Sequence, residues 1–183
     1  MNISPTGAWQ CDTKGPHGFD ESLASSILKL MMGSGLTSVK DFGCGSGAYV
    51  DYWNDRGMWA VGYDGNPNTP YFSPHCYVAE LSCPMSVEPA ECVVSLEVGE
   101  HIPEQFERNF IENLVLHAEK LLIVSWFPRK GEGIGHVNER SNEYVKEKIC
   151  AANFEFMPEE TELLRKSSTL WWFKESLLVF KKI

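Results

Sequence analysis

Asp41-Phe42-Gly43-Cys44-Gly45-Ser46-Gly47 stands between a short apolar run at residues 38–42, which reads as a strand, and residues 47–55, where Tyr49, Val50 and Trp53 share one helical face. Glycines at a strand-to-helix turn permit backbone angles that other residues resist. They also let a ligand approach main-chain amides at a helix N-terminus. With Ala48 the string satisfies G-x-G-x-x-G/A, a dinucleotide fingerprint, so the loop alone does not choose its ligand. Two acids sharpen the reading. Asp41 closes the strand two residues before the first glycine, where a carboxylate suits a cationic ligand better than a pyrophosphate. Asp64 closes the next strand, about 20 residues past the first glycine, the place where an acid binds ribose hydroxyls in such folds.

Around this segment the chain alternates. Strands are predicted at 38–42, 59–63, 76–79, 92–96, 121–126, 154–157 and 177–180, and helices at 20–32, 47–55, 104–118 and through Tyr144, Val145, Ile149 and Ala152. Such alternation implies parallel βαβ units and a sheet covered on both faces, so the class is α/β. Residues 1–18 carry Pro5, Gly7, Gly15, Pro16 and Gly18, too many breakers for a long element. They are expected to form an N-terminal arm anchored at Trp9 and Phe19, ahead of a single domain at 19–183.

The 183 residues suffice for one domain with a substantial core, and 43% apolar content with ten Phe, six Trp and six Tyr excludes a disordered chain. Sixteen Lys and Arg against 25 Asp and Glu leave a formal charge of -9, which counts against a non-specific grip on nucleic acid. No apolar run reaches membrane length and the N-terminus lacks the zones of a secretory signal, so a soluble, cytoplasmic protein is expected. The cysteines at 11, 44, 76, 83, 92 and 150 form no C-x-x-C pair. They are read as reduced thiols rather than a zinc ribbon or a disulfide scaffold.

The segment 41–47 resembles motif I of class I S-adenosylmethionine-dependent methyltransferases. Gly62-Tyr63-Asp64-Gly65-Asn66 resembles their ribose-binding turn, and Ser95-Leu96-Glu97-Val98-Gly99-Glu100-His101-Ile102-Pro103 is similar to the segment after their fourth strand. The resemblance runs in order over residues 39–127. It implies a Rossmann-like three-layer sandwich with a mostly parallel, seven-stranded sheet, and S-adenosyl-L-methionine as cofactor. Gly43, Cys44 and Gly45 would then lie beside the methionine part, with Asp41 on its amino group. Asp64 and Gly65 would meet the ribose, with Asn66 at its edge. Glu80 and Leu81 fall where family members meet the adenine, with Glu80 in place of the usual Asp, and Glu97 would face the cofactor. A nicotinamide enzyme is disfavoured because Asp41 does not suit its pyrophosphate site.

Methyl transfer needs a base only where the acceptor must lose a proton. His101 and His136 fall after strands four and five, at the pocket end of the resembling fold, and either could accept a proton near neutral pH. His101 is equally readable as a linker before Pro103. His136, among glycines, is the preferred base, on the expectation that it would otherwise be solvent-exposed. Glu97, Glu100, His101 and His136 also resemble the divalent-metal pattern of small-RNA 2′-O-methyltransferases and some quinone-biosynthesis O-methyltransferases. The same E-x-x-E-H occurs without metal, with Glu100 then positioning His101, and no metal is assigned. His17 belongs to an arm that either closes the pocket or straps the surface, and His117 is expected on a helix surface or edge. Trp126-Phe127-Pro128 and Trp171-Trp172-Phe173 are expected to be mostly core, with a few rings walling the acceptor. Ser141 and Asn142 read as caps, and the basic residues near 165 as a solvated face. The expected activity is methyl transfer to a small molecule or an exposed chain end, O-methylation favoured. The rivals are a metal-assisted 2′-O-methyltransferase on RNA, which the acidic balance opposes, and a non-catalytic cofactor-binding partner subunit.

Overall fold

The computed structural model describes residues 2–14 and 18–183, so His17 lies outside the described residues. Asn2–Ile3 (β1) and Trp9–Gln10 (β2) pair as a short antiparallel hairpin within the arm. Glu21–Gly33 (α1) buries Leu23, Ala24, Ile27, Leu28 and Met31, the face that their spacing predicts. Ser38–Phe42 (β3), Ala48–Asn54 (α2), Trp59–Asp64 (β4), Thr69–Phe72 (α3), Cys76–Val78 (β5) and Ala90–Leu96 (β6) follow. Then come Glu107–His117 (α4), Ala118–Ser125 (β7), Asn142–Cys150 (α5), Phe154–Phe156 (β8), Pro158–Ser167 (α6), Trp171–Ser176 (α7) and Leu177–Lys182 (β9).

Seven strands form one sheet in the order β5-β4-β3-β6-β7-β9-β8. All pairings are parallel except those of β9, which runs against both β7 and β8. Val93, Val94, Leu122 and Ile123 at its centre are essentially inaccessible to solvent, as a sheet covered on both faces requires. One core packs α1, α2, α6 and α7 on one face; the other packs α4 and α5 on the opposite face. This is the three-layer α/β sandwich expected. The strand order reverses between β3 and β6, and a crevice opens there at the C-terminal ends of the parallel strands.

Several expectations change. The hairpin, α3, α6 and α7 are not among the predicted elements. For α6 the signals exist in Pro158 and the acidic Glu159 and Glu160 of its first turn. Because α7 lies at the pocket end of the sheet and leads directly into β9, that strand can only run back, which makes it antiparallel. His117 is buried, with Nδ1 2.7 Å from the Asn113 carbonyl and its ring edge-on to Phe42. The cause is that α4 passes into β7 without a loop, so its last turn stays against the sheet. Arg165 is not solvated: it donates to the carbonyls of Leu177 and Glu175 at 2.8 and 2.9 Å, and burial pulls its pKa down. Ser141 does cap α5, whereas the Asn142 side chain reaches across to the Glu175 carbonyl. All six cysteines are free thiols, and no helix among the described residues is long and apolar enough to cross a membrane.

One carboxylate ties the first helix to the last part of the chain. Asp20 accepts from the Leu23 amide as N-cap of α1, and also from the Ser168 hydroxyl and the amides of Thr169 and Leu170. Burial opposes its charge, but these hydrogen bonds outweigh it and hold the pKa below the usual value. Asp20→Ala should therefore cost about 2–4 kcal/mol in a urea titration near neutral pH. Because the folded pKa is depressed, the wild-type advantage is present above the unfolded pKa and is lost as pH falls through the folded one.

Candidate active site

A cavity of about 580 Å³ opens at the strand ends, lined by the glycine loop, the ends of β4 and β6, the turn after β5, residues 132–136, α7 and the arm. Gly43 (φ +92°) presses so close to Val98 that a side chain would collide with it, and its amide donates to the Tyr63 carbonyl at 2.7 Å. Asp64 braces the same loop, accepting from the amides of Gly45 and Asn66 at 2.8 Å each. Asp41, Gly43, Cys44, Gly45, Asp64, Gly65, Glu80, Leu81 and Glu97 all line the cavity, as do His101 and His136. Asn66 does not. It is fully buried, and its side-chain amide holds the Cys11 carbonyl, so it braces the arm instead.

The arm lies over the cavity. Thr6 donates to Glu80 at 2.7 Å, Asn68 joins Asn66 on the Cys11 carbonyl, and Trp9 Nε1 donates to His101 Nδ1 at 3.3 Å. Gly7 (φ +97°) packs on the His101 carbonyl with no space for a side chain. Phe19, the other expected anchor, stacks edge-on against Tyr49 at the surface. Nothing local to residues 2–10 signals these contacts.

The floor is acidic and short of counterions. Burial, with Cys76 and Asp64 nearby, pushes the Asp41 carboxyl well above the usual range. Glu97, in a left-handed conformation (φ 54°) at the end of β6, accepts from Ser176 at 2.7 Å, and burial raises its pKa. Beside it Glu100 is fully buried with neither oxygen hydrogen-bonded, and burial and Glu97 push it well up. Glu100 therefore does not orient His101 by a hydrogen bond, contrary to expectation. Trp9 does so, with the Gly135 carbonyl 3.1 Å from the same ring nitrogen.

His136 is half-buried rather than solvent-exposed, edge-on to His101 (4.8 Å) and Phe127 (5.0 Å). Its Nδ1 is buried without a partner, and burial lowers its pKa against an opposing pull from Glu139. Ligand atoms of Glu100, His101 and His136 lie within 4.8 Å of one another, whereas Glu97 stands outside this group. That donor set, with two orphaned carboxylate oxygens, fits a divalent cation. Phe127, Trp171, Trp172 and Phe173 wall the cavity, while Trp126 is core, packed beneath Gly99.

No protein-family model and no curated protein matches the chain in sequence. Solved structures match in fold. An amino pentose methyltransferase from Micromonospora echinaspora, with SAM bound, superposes with a TM-score of 0.70 at 14% identity, over 87% of this chain and 90% of that one. Magnesium protoporphyrin IX methyltransferase from Synechocystis PCC 6803, with bound SAH, gives 0.68 at 14% identity over 87% and 82%. The methyltransferase domain of a bacterial Hen1 gives 0.62 at 13% identity over 89% and 98%. The fold is thus that of the class I S-adenosylmethionine-dependent methyltransferases.

The loop carrying His136 is pinned from behind by Glu107, which the sequence did not single out. Its carboxylate accepts from Asn138 Nδ2 (3.0 Å), Arg140 Nε (2.7 Å) and the Tyr144 hydroxyl (2.5 Å). Trp126 Nε1 holds the Asn138 carbonyl, and the amides of Val137 and Asn138 both donate to the Glu100 carbonyl. Burial opposes charge on Glu107, yet these bonds win and its pKa is lowered. Glu107→Ala strands three donors and should cost about 2–4 kcal/mol by chemical denaturation. Glu107→Gln, which keeps part of the bonding, should cost less.

Proposed function

We propose that the protein binds S-adenosyl-L-methionine and transfers its methyl group to a hydroxyl of a small molecule or an exposed chain end. One observation carries this reading: a half-buried imidazole, His136, shares a single cavity with a glycine loop flanked by Asp41 and Asp64. The cofactor supplies an electrophilic methyl on a sulfonium. Asp41, buried without a cation beside it, suits its ammonium group, which would return that carboxyl to the charged state. Asp64 and Gly65 face the ribose and Glu80 with Leu81 the adenine, while Glu97 faces the methionine side. The arm and the rings of Phe127, Trp171 and Trp172 exclude water, so alignment and desolvation act together. His136, neutral at physiological pH because burial lowers its pKa, takes the acceptor proton, and His101 packs against it.

A second reading has its own support in the cluster of Glu100, His101 and His136. These three residues would hold a divalent cation, which would acidify the acceptor oxygen and replace the need for a base. The cluster alone does not favour RNA as the acceptor, and the charge of -9 opposes it. A non-catalytic partner subunit is disfavoured by two histidines in the cavity.

Calorimetry should register S-adenosylhomocysteine binding, and Asp64→Ala should weaken it by about 1.5–3 kcal/mol through lost hydrogen bonds to the ribose and a loosened loop. His136→Ala should slow turnover about 10²–10⁴-fold with cofactor affinity unchanged. The wild-type rate should hold through neutrality and fall only as pH drops below the ordinary imidazole value of about 6.5, where His136 takes up a proton. A chelator should leave this rate untouched. Loss of activity on chelation, restored by magnesium or manganese, would install the metal reading. Heat with a nicotinamide dinucleotide and none with S-adenosylhomocysteine would sink both.

A further inference from the structure

Six carboxyl-bearing side chains line the cavity, Asp41, Asp64, Glu80, Glu97, Glu100 and Glu132, with no Lys or Arg among the described lining residues. Asp41, Asp64, Glu80 and Glu97 belong to the cofactor side of that reading. Glu100 and Glu132 remain beside His136 and the aromatic wall, on the side where the acceptor must enter. Arg129 comes near the mouth, its guanidinium 5.1 Å from the Trp171 ring, but it is already paired with Glu175 through three contacts of 2.5–3.0 Å. Glu132 meets Arg129 only at 3.8 Å and keeps half its side chain in solvent. An anion entering here would lose its hydration and meet carboxyl groups with no cation to offset them.

The wall adds a shape. Phe127 and Trp171 stand edge-to-face with centroids 5.9 Å apart, and Trp171 and Trp172 meet at 85° over the same distance. Phe127 also abuts His136, so a flat ring lying in this corner would bring a hydroxyl toward the imidazole. Ring faces favour both an aromatic partner and a cation, and disfavour an anion.

We propose that the acceptor side of this cavity selects by charge, taking aromatic hydroxyl compounds that carry no negative group and turning away anionic ones. The proposal rests on the methyl-transfer reading for its chemistry, while charge selection is a property of the cavity itself. Glu132 is the specificity-determining residue at the mouth, because it is the acceptor-side acid that stands in solvent and is only loosely paired.

Three phenols with different tails test it: tyramine with an ammonium, tyrosol with a hydroxyl, and 3-(4-hydroxyphenyl)propionate with a carboxylate. Dissociation constants would be measured by ligand-observed NMR on the full chain, alone and with S-adenosylhomocysteine. Tyramine and tyrosol should each bind at least about tenfold tighter than the carboxylate. Glu132→Lys, a change at an exposed position, should narrow that gap, and Trp171→Ala should weaken tyramine and tyrosol alike. A carboxylate that binds as tightly as tyrosol overturns the charge selection, and failure of all three phenols to bind overturns the aromatic site. Absence of heat with S-adenosylhomocysteine would instead sink the methyl-transfer reading, and the order of the three phenols on the protein alone would still decide the selection.

Discussion

The hydrogen bonds from the Gly45 and Asn66 amides to the two oxygens of Asp64 join the ends of β3 and β4 into one rigid edge, and the cavity is built on that edge. Gly43 lies in contact with Val98 after β6, and Asn66 carries the arm through the Cys11 carbonyl. A glycine loop turning between strand and helix would otherwise sample many conformations, since glycine loses more backbone entropy on ordering than any other residue. Here a single carboxylate fixes the amides, and packing of strand ends and arm against them defines where a ligand can sit.

The same edge explains the energetic character of the site. Two buried acids, Asp41 and Glu100, and the half-buried Glu97 stand at the strand ends, and each has its pKa raised because desolvation is not offset by a cation. Buried carboxyl groups left in this condition destabilise the folded chain relative to apolar replacements. A cationic ligand would relieve this condition, because its charge favours the ionised carboxylates that burial alone disfavours. His136 belongs to the same design. It is shielded enough to stay neutral, and it is carried on a glycine-bearing loop whose far end is anchored by Glu107, Asn138 and Arg140.

The glycine loop, Asp41, Asp64 and the alternation of strands and helices were legible because their signals are local: spacing, breakers and an acid at a strand end. Helix α7 and the arm hairpin were not. Their residues carry no period of their own, and their positions follow from what they cover. His117 is buried rather than at the helix edge because a helix that passes into a strand without a loop keeps its last turn against the sheet, and sequence spacing does not reveal that missing loop. Arg165 is held rather than solvated because its carbonyl partners, Glu175 and Leu177, become available only when α7 gives way to β9.

By itself the sequence determined the α/β class, the strand that precedes the glycine loop and the two acids beside it, because apolar period, glycine placement and residue type act within a few positions of one another. Only the tertiary structure decided that Trp9 reaches His101 across 92 positions and that Glu107 holds the His136 loop from 31 to 37 positions away. It also decided that Glu97, although it interacts with Glu100, falls outside the donor group that Glu100 forms with His101 and His136. The physical reason is that a strand end followed by a short turn sends successive side chains in different directions. Which of them converge is set by the elements packed above, and that information is carried by contacts between distant parts of the chain.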